Sequence, residues 1–221
     1  MPQIFRPSAD TWLRATVVLV FLGVAGGGLA LGGYATSGYA TAVGFPRGQP
    51  VPFSHKHHVG DLGIDCRYCH TTVETEANAG FPPTHTCMTC HSQIWTQAPV
   101  LAPVRDSLAT GEPIAWSRVS ALPDYVYFDH SIHISRGVPC VTCHGRIDRQ
   151  PLTAQVHPFQ MRFCLDCHRN PGPRLRPPDQ VTRMDWSGWE ADPANRGYGA
   201  LAMRHFGIDP KALVNCGRCH R

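Results

Sequence analysis

The sequence predicts a mainly irregular and α-helical chain, with short helices and little sheet, joined to one N-terminal transmembrane helix. Three observations carry that expectation. The 221 residues include 21 Gly and 20 Pro, more backbone punctuation than regular helices or strands tolerate. All 10 cysteines fall in one short repeated motif. No charged residue occurs between Ala15 and Pro46.

The apolar segment comes first along the chain. Ala15–Tyr34 alone is 20 residues, and a helix of that length rises about 30 Å, the thickness of a bilayer's hydrocarbon core. Arg6 and Arg14 precede it, which places the N-terminus in the cytoplasm by the positive-inside rule. Ala40-Thr-Ala42 resembles a signal-peptide cleavage site. The apolar stretch is longer than a signal core, so an uncleaved anchor over residues 15–36 is the expectation. Gly23/Gly27 and Gly28/Gly32 have the small-xxx-small spacing that lets helix backbones approach closely. That spacing points to other membrane subunits as neighbours.

The cysteines define the remainder of the chain. They stand as Cys66/Cys69, Cys87/Cys90, Cys140/Cys143, Cys164/Cys167 and Cys216/Cys219, and each pair is followed at once by His70, His91, His144, His168 or His220. C-x-x-C-H is the pattern of c-type haem attachment, in which two thiols add to the haem vinyl groups and the histidine reaches the iron. Five covalently bound haem c groups are expected. Structural zinc would use two C-x-x-C pairs per site, leaving one pair stranded and each trailing histidine unexplained. A disulfide framework would not put every cysteine in one spacing, and a thioredoxin-like pair needs a βαβ pattern that is not visible.

An internal repeat organises the motifs. Phe53-Ser-His55-Lys-His57-His58 precedes Gly63-Ile-Asp-Cys66, and Phe128-Asp-His130-Ser-Ile-His133 precedes Gly137-Val-Pro-Cys140. Each copy carries two motifs, and a fifth stands alone at the C-terminus. The expected segments are a cytoplasmic N-terminus (1–14), the anchor (15–36), a first dihaem module and spacer (37–127), a second dihaem module (128–168), and a spacer with a monohaem segment (169–221). The spacers hold Pro171, Pro173, Pro177 and Pro178 and several Trp, which suit loops wrapped over haem faces.

Histidines at i and i+3 share a helix face yet diverge, so one can ligate the nearest haem and the other its neighbour. His55, His58, His130 and His133 are the expected distal ligands, with His57 spare. The fifth distal position stays open among Met161, Met203, His205, His157 and His85. Met161 is taken first because it lies three residues before Cys164, and a thioether would raise that haem's potential. Arg169, Arg174 and Arg176 could pair with propionates or form an ordinary solvated loop. The formal charge of +4 is small, with no Lys/Arg block of the kind nucleic-acid binders use.

The stretches PVPFSHKHHVGDLGIDCRYCH, PPTHTCMTCHSQIW, LPDYVYFDHSIHISRGVPCVTCHG and RFCLDCHRNPGPRLRP, with the terminal CGRCHR, resemble the pentahaem cytochrome c subunit of bacterial alternative complex III. They are similar, more widely, to class III cytochrome haem modules. The resemblance runs from the anchor to the C-terminus. It implies a quinol-oxidising membrane complex with integral membrane quinol-binding subunits, an iron–sulfur subunit and a monohaem cytochrome c as partners. The haem domain would lie on the periplasmic side of the cytoplasmic membrane and pass electrons to a periplasmic carrier or terminal oxidase. His85 departs from the pattern expected there, and no role is carried onto it.

No carboxylate or nucleophile constellation accompanies the motifs, so the chain is expected to relay electrons within an enzyme, without a catalytic site of its own. Two neighbouring readings are an anchored quinol dehydrogenase of the nitrite- or nitrate-reductase donor type, and a menaquinone-reducing complex running the same parts backwards. A multihaem nitrite reductase would need a haem with an open distal face.

Overall fold

The computed structural model describes residues 4–185 and 192–220. By internal contacts the chain divides into two units, Met1–Val43 and Gly44–Arg221. Trp186 and Trp189, two of the spacer tryptophans, lie outside the described residues.

The first unit is helix α1 (Ala9–Thr36), 28 residues long and apolar enough to cross a membrane, followed by the short α2 (Gly38–Thr41). α1 starts six residues before the uncharged stretch does. Its first turn carries Asp10, whose carboxylate accepts from Arg14 Nε at 3.1 Å, an i,i+4 pair that also sets an anion at the positive end of the helix dipole. The loss of charge at Ala15 therefore marks where the apolar part of the helix begins, while the helix itself extends to Ala9. At the other end Thr36 Oγ1 donates to the Gly32 carbonyl at 2.9 Å. Ser37 is extended and caps α2 by accepting from Ala40 N at 3.3 Å.

The second unit is built from short helices, single turns and loops. No strand occurs among the described residues, only the isolated bridges Pro46–Ala154 and Val126–His220. In order, a π-helical turn (Lys56–Asp61) precedes α3 (Cys66–Cys69) and α4 (Thr84–His91), and the spacer helix α5 (Ala102–Thr110) comes after them. Then come α6 (His130–Ser135), α7 (Cys140–His144), α8 (Met161–Arg169), α9 (Tyr198–His205) and α10 (Pro210–Leu213), before a 3-10 turn (Cys216–Arg218).

Its apolar core is thin. One cluster gathers Val51, Leu101 and Val104 with Cys87, Ile114 and Trp116 around them. A second gathers Val73, Ile134 and Val181 with Ala79 and Cys140. The first seats α5 on α4, where the Thr84 and Ser107 hydroxyls are hydrogen-bonded at 2.6 Å. The second joins the loop after α3 to α6 and α7. In the later spacer Gly172 and Gly199 approach so closely that a Cβ on Gly199 would run into the Gly172 carbonyl, which seats α9 on the Gly172–Arg174 turn.

The repeat seen in the sequence is a repeat of structure. Phe53 stacks on His58 at 4.4 Å and meets His55 edge-on at 4.9 Å. Phe128 does the same to His133 at 4.5 Å and His130 at 4.8 Å. Gly63 and Gly137 both have positive φ, 70° and 83°, a conformation that glycine alone adopts without strain. The copies differ by one residue between the second histidine and this glycine. That insertion is absorbed as the π-helical turn in the first copy, where the second has an α-helix.

Candidate functional site

Each C-x-x-C-H sits on or beside a helical turn: α3 and its C-cap His70, the C-terminal half of α4, α7, α8, and the 3-10 turn at Cys216. Thiols three residues apart on a turn share a face. Asp65 and Asn215 cap the first and last turns, accepting from Arg67 N at 2.9 Å and Gly217 N at 3.0 Å. All ten cysteines are free thiols. Burial pushes Cys143 up to about 11 and raises Cys69, Cys87, Cys164 and Cys167, the reverse of a thioredoxin-like redox pair. Among the described residues no three His, Cys, Asp or Glu side chains gather as a metal cluster.

The histidines are held in one tautomer. The Nδ1–H of His70 donates to the Gly80 carbonyl at 2.8 Å, that of His91 to Ile94 at 3.3 Å, and that of His58 to Ser54 at 2.9 Å. His130 donates to Ala77 at 2.8 Å and His133 to Asp129 at 2.6 Å. His168 donates to Leu213 at 3.2 Å and His220 to Tyr125 at 3.3 Å. His55 Nδ1 shares a hydrogen bond with Thr153 Oγ1 at 2.9 Å. A carbonyl accepts only from a protonated Nδ1, so Nε2 keeps its lone pair in each of the seven rings bound to one. This is the outer-shell support that orients metal-binding imidazoles. Burial, followed by the neighbouring His70, lowers His55 to about 4; burial, followed by His130 and His70, lowers His144 to about 4. Burial also lowers His58 and His133. These four imidazoles are neutral at pH 7, as a metal ligand must be.

Three pairs of rings face one another. His58 and His91 lie 6.2 Å apart between ring centroids, His130 and His144 6.5 Å, and His133 and His168 6.2 Å. Two imidazole nitrogens each about 2 Å from one ion put the ring centres roughly 6 Å apart. The spacing and the free Nε2 positions therefore fit axial ligation of one iron by each pair, with the adjacent thiols in place for thioether bonds. His55 stands beside His70. In both copies of the repeat the first histidine accompanies the nearer motif and the second the farther one.

Of the remaining sequence candidates, Met161 opens α8 and is 61% exposed. His157 stacks on Phe163 at 4.7 Å and His205 meets Phe206 at 4.8 Å. Met203 Sδ lies against Gly172, His85 sits in α4, and the ring beside His220 is Tyr125, at 6.0 Å. The arginines also sort differently from expectation. Arg169 pairs with Asp166 at 3.8 Å, while Arg176 is buried with Nη1 donating to the Arg183 carbonyl at 3.0 Å. A cavity of about 320 Å³ beside Cys66 is lined instead by Arg146 and Arg183, held by Asp148 at 2.6 Å and Asp185 at 2.8 Å. Sequence reading missed the backbone carbonyls that orient the rings, because a carbonyl has no residue signature. It also missed Thr153, 98 positions from His55.

No protein-family model matches the chain. Thin core, helical C-x-x-C-H turns and facing imidazoles define the class of the multihaem cytochromes c, and a comparison with curated proteins gives a relative of that class. Over 103 residues the chain is 37% identical to the multihaem cytochrome c subunit of a menaquinone reductase from Nitratidesulfovibrio vulgaris. The matching stretch is 46% of this chain and 48% of the relative, so the chain spans about half the length of the curated relative it matches.

Proposed function

We propose that the chain is a membrane-anchored multihaem cytochrome c that relays electrons in a quinone-linked oxidoreductase complex. The observation that carries this reading is the set of three imidazole pairs spaced at 6.2 to 6.5 Å, with Nδ1 held by a carbonyl in five of the six rings. Bound haem c would supply one-electron chemistry through the ferric–ferrous couple of its iron. The chain's residues attach, ligate and orient that group.

In this reading five haems are held through Cys66/Cys69, Cys87/Cys90, Cys140/Cys143, Cys164/Cys167 and Cys216/Cys219. His70, His91, His144, His168 and His220 ligate from one side. His55 ligates opposite His70, His58 opposite His91, His130 opposite His144 and His133 opposite His168. Met161 remains the candidate opposite His220. α1 anchors the chain, with the haem unit on the periplasmic side of the cytoplasmic membrane, and the chain adds no catalytic site of its own.

The stretches that resemble the pentahaem subunit favour a quinol-oxidising complex of the alternative complex III type. Its membrane quinol-binding subunits, iron–sulfur subunit and monohaem cytochrome c would be the partners. The relative's name supports a second reading, in which the same parts reduce menaquinone. Purification from membranes in mild detergent, with subunits identified by mass, tests both. Quinol should reduce the haem absorbance bands in the intact complex and leave the isolated chain oxidised. Haem reduction in the isolated chain would make it a quinol dehydrogenase, and electron flow only towards quinone would select the second reading.

A further inference from the structure

We propose that the five attachment sites are ordered in space second–first–third–fourth–fifth, so that a relay through this chain has its ends at the second and fifth motifs. This rests on the proposed haem ligation and adds the neighbour relations that sequence order hides.

The second and first sites are joined directly. The Tyr68 hydroxyl of α3 is hydrogen-bonded to Thr89 Oγ1 of α4 at 2.8 Å. His55 and His58, which accompany the first and second motifs, stand three residues apart and are bridged by Phe53.

The first and third sites meet at the centre. The Cys66 and Cys140 thiols, 74 positions apart, are hydrogen-bonded to each other. His130, whose ring faces the third motif's His144, donates from both Nδ1 and backbone N to the carbonyl of Ala77, in the loop after the first motif, at 2.8 and 3.1 Å. Thr182 Oγ1 donates to Asp65 at 2.8 Å, and Cys140 N to the Val181 carbonyl at 3.0 Å. One two-residue segment thus binds the entry to both motifs. The third and fourth sites share α6, whose His130 and His133 face His144 and His168.

The fourth and fifth sites are joined by α10. His168 Nδ1 donates to the carbonyl of Leu213, three residues before Cys216, at 3.2 Å, and Cys219 is close enough to Cys164 to help burial raise its thiol. The second motif turns its other side to α5 and the Val51–Leu101–Val104 cluster. Among the ten cysteines only Cys90 and Cys216, one at each end of the proposed order, are exposed.

The order is tested by locating the irons in the holo complex, by anomalous scattering at the iron edge or in an electron cryomicroscopy map, each assigned to its motif by the thioether density. The first-motif iron should have the second- and third-motif irons as its two nearest neighbours, with the second- and fifth-motif irons farthest apart. A second-motif iron adjacent to the third, or a fifth-motif iron in the interior, overturns the order. Five attached haems in another arrangement would defeat the order alone. Fewer than five irons, or irons lacking the facing histidines, would defeat the ligation on which it rests.

Discussion

An imidazole binds iron through a lone pair, so what matters first at His58 and His91 is which nitrogen keeps its proton. In both, a backbone carbonyl takes Nδ1–H and leaves Nε2 free. The ring planes then differ between pairs: His58 and His91 cross at 67°, while His130/His144 and His133/His168 are near parallel at 8° and 20°. Crossed axial planes keep two iron d orbitals nearly degenerate, and parallel planes split them. EPR of the ferric holoprotein should therefore show one large-gmax low-spin signal from the second site and rhombic signals from the third and fourth. Removing the second site by Cys87→Ser with Cys90→Ser should abolish the first signal alone. At the third site His130→Met should raise one midpoint potential by on the order of 0.1 V, within the roughly 0.8 V that axial ligands span. Spectroelectrochemical titration reads that shift. Candidate ligands were legible residue by residue, because histidine at fixed offsets from a motif is a chemical pattern. The crossing angle was not, since it depends on carbonyls as distant as Leu213 is from His168.

The repeat element explains two glycines and one odd helix. Gly63 and Gly137 both need positive φ, but only at Gly137 would a Cβ also strike a backbone carbonyl, that of Arg176. Gly63→Ala should cost about 1 kcal/mol, the left-handed penalty alone. Gly137→Ala should cost more, on the order of 3 kcal/mol, because backbone cannot move aside as a side-chain tip does. Thermal melts of the holoprotein compare the two. The π-helical turn is held to the Ile147–Arg149 turn through Gly60, where a Cβ would meet the Asp148 carbonyl. Arg146 donates to Asp148 from Nε at 2.8 Å and Nη2 at 2.6 Å, and this hydrogen bonding holds the Asp148 carboxyl below its ordinary value. A depressed folded-state pKa contributes stability above the unfolded value, near 4, and loses it as pH falls through the folded value. Asp148→Asn should therefore lower stability at pH 7 by about 1–2 kcal/mol and flatten the loss between neutral and acid pH, read as melting temperature against pH. The F-x-H-x-x-H repeat was visible in the sequence. That one inserted residue becomes a π-helical turn was not, because the insertion could equally have lengthened the loop before Gly63.

At the scale of the molecule, the fold class followed from composition. Gly and Pro leave room for short helices only, and the described residues contain no strand. The helix that could cross a membrane was legible too, apart from its first turns, where Asp10 and Arg14 hide a continuous helix behind charges. What composition does not carry is the pairing of motifs far apart in sequence, such as Cys66 with Cys140. With two small apolar clusters in the second unit, the chain depends on attachment for its stability, as small metal domains do on their metal. Replacing Cys66, Cys69, Cys140 and Cys143 by Ser should leave the second unit open to limited proteolysis. Haem attachment itself is read from the intact mass of the denatured chain after expression with cytochrome c maturation. Covalent attachment at every motif predicts a gain of five haem masses that survives denaturation. A gain of four or fewer, or zinc released on denaturation with no haem retained, would contradict the assignment of five haem c groups.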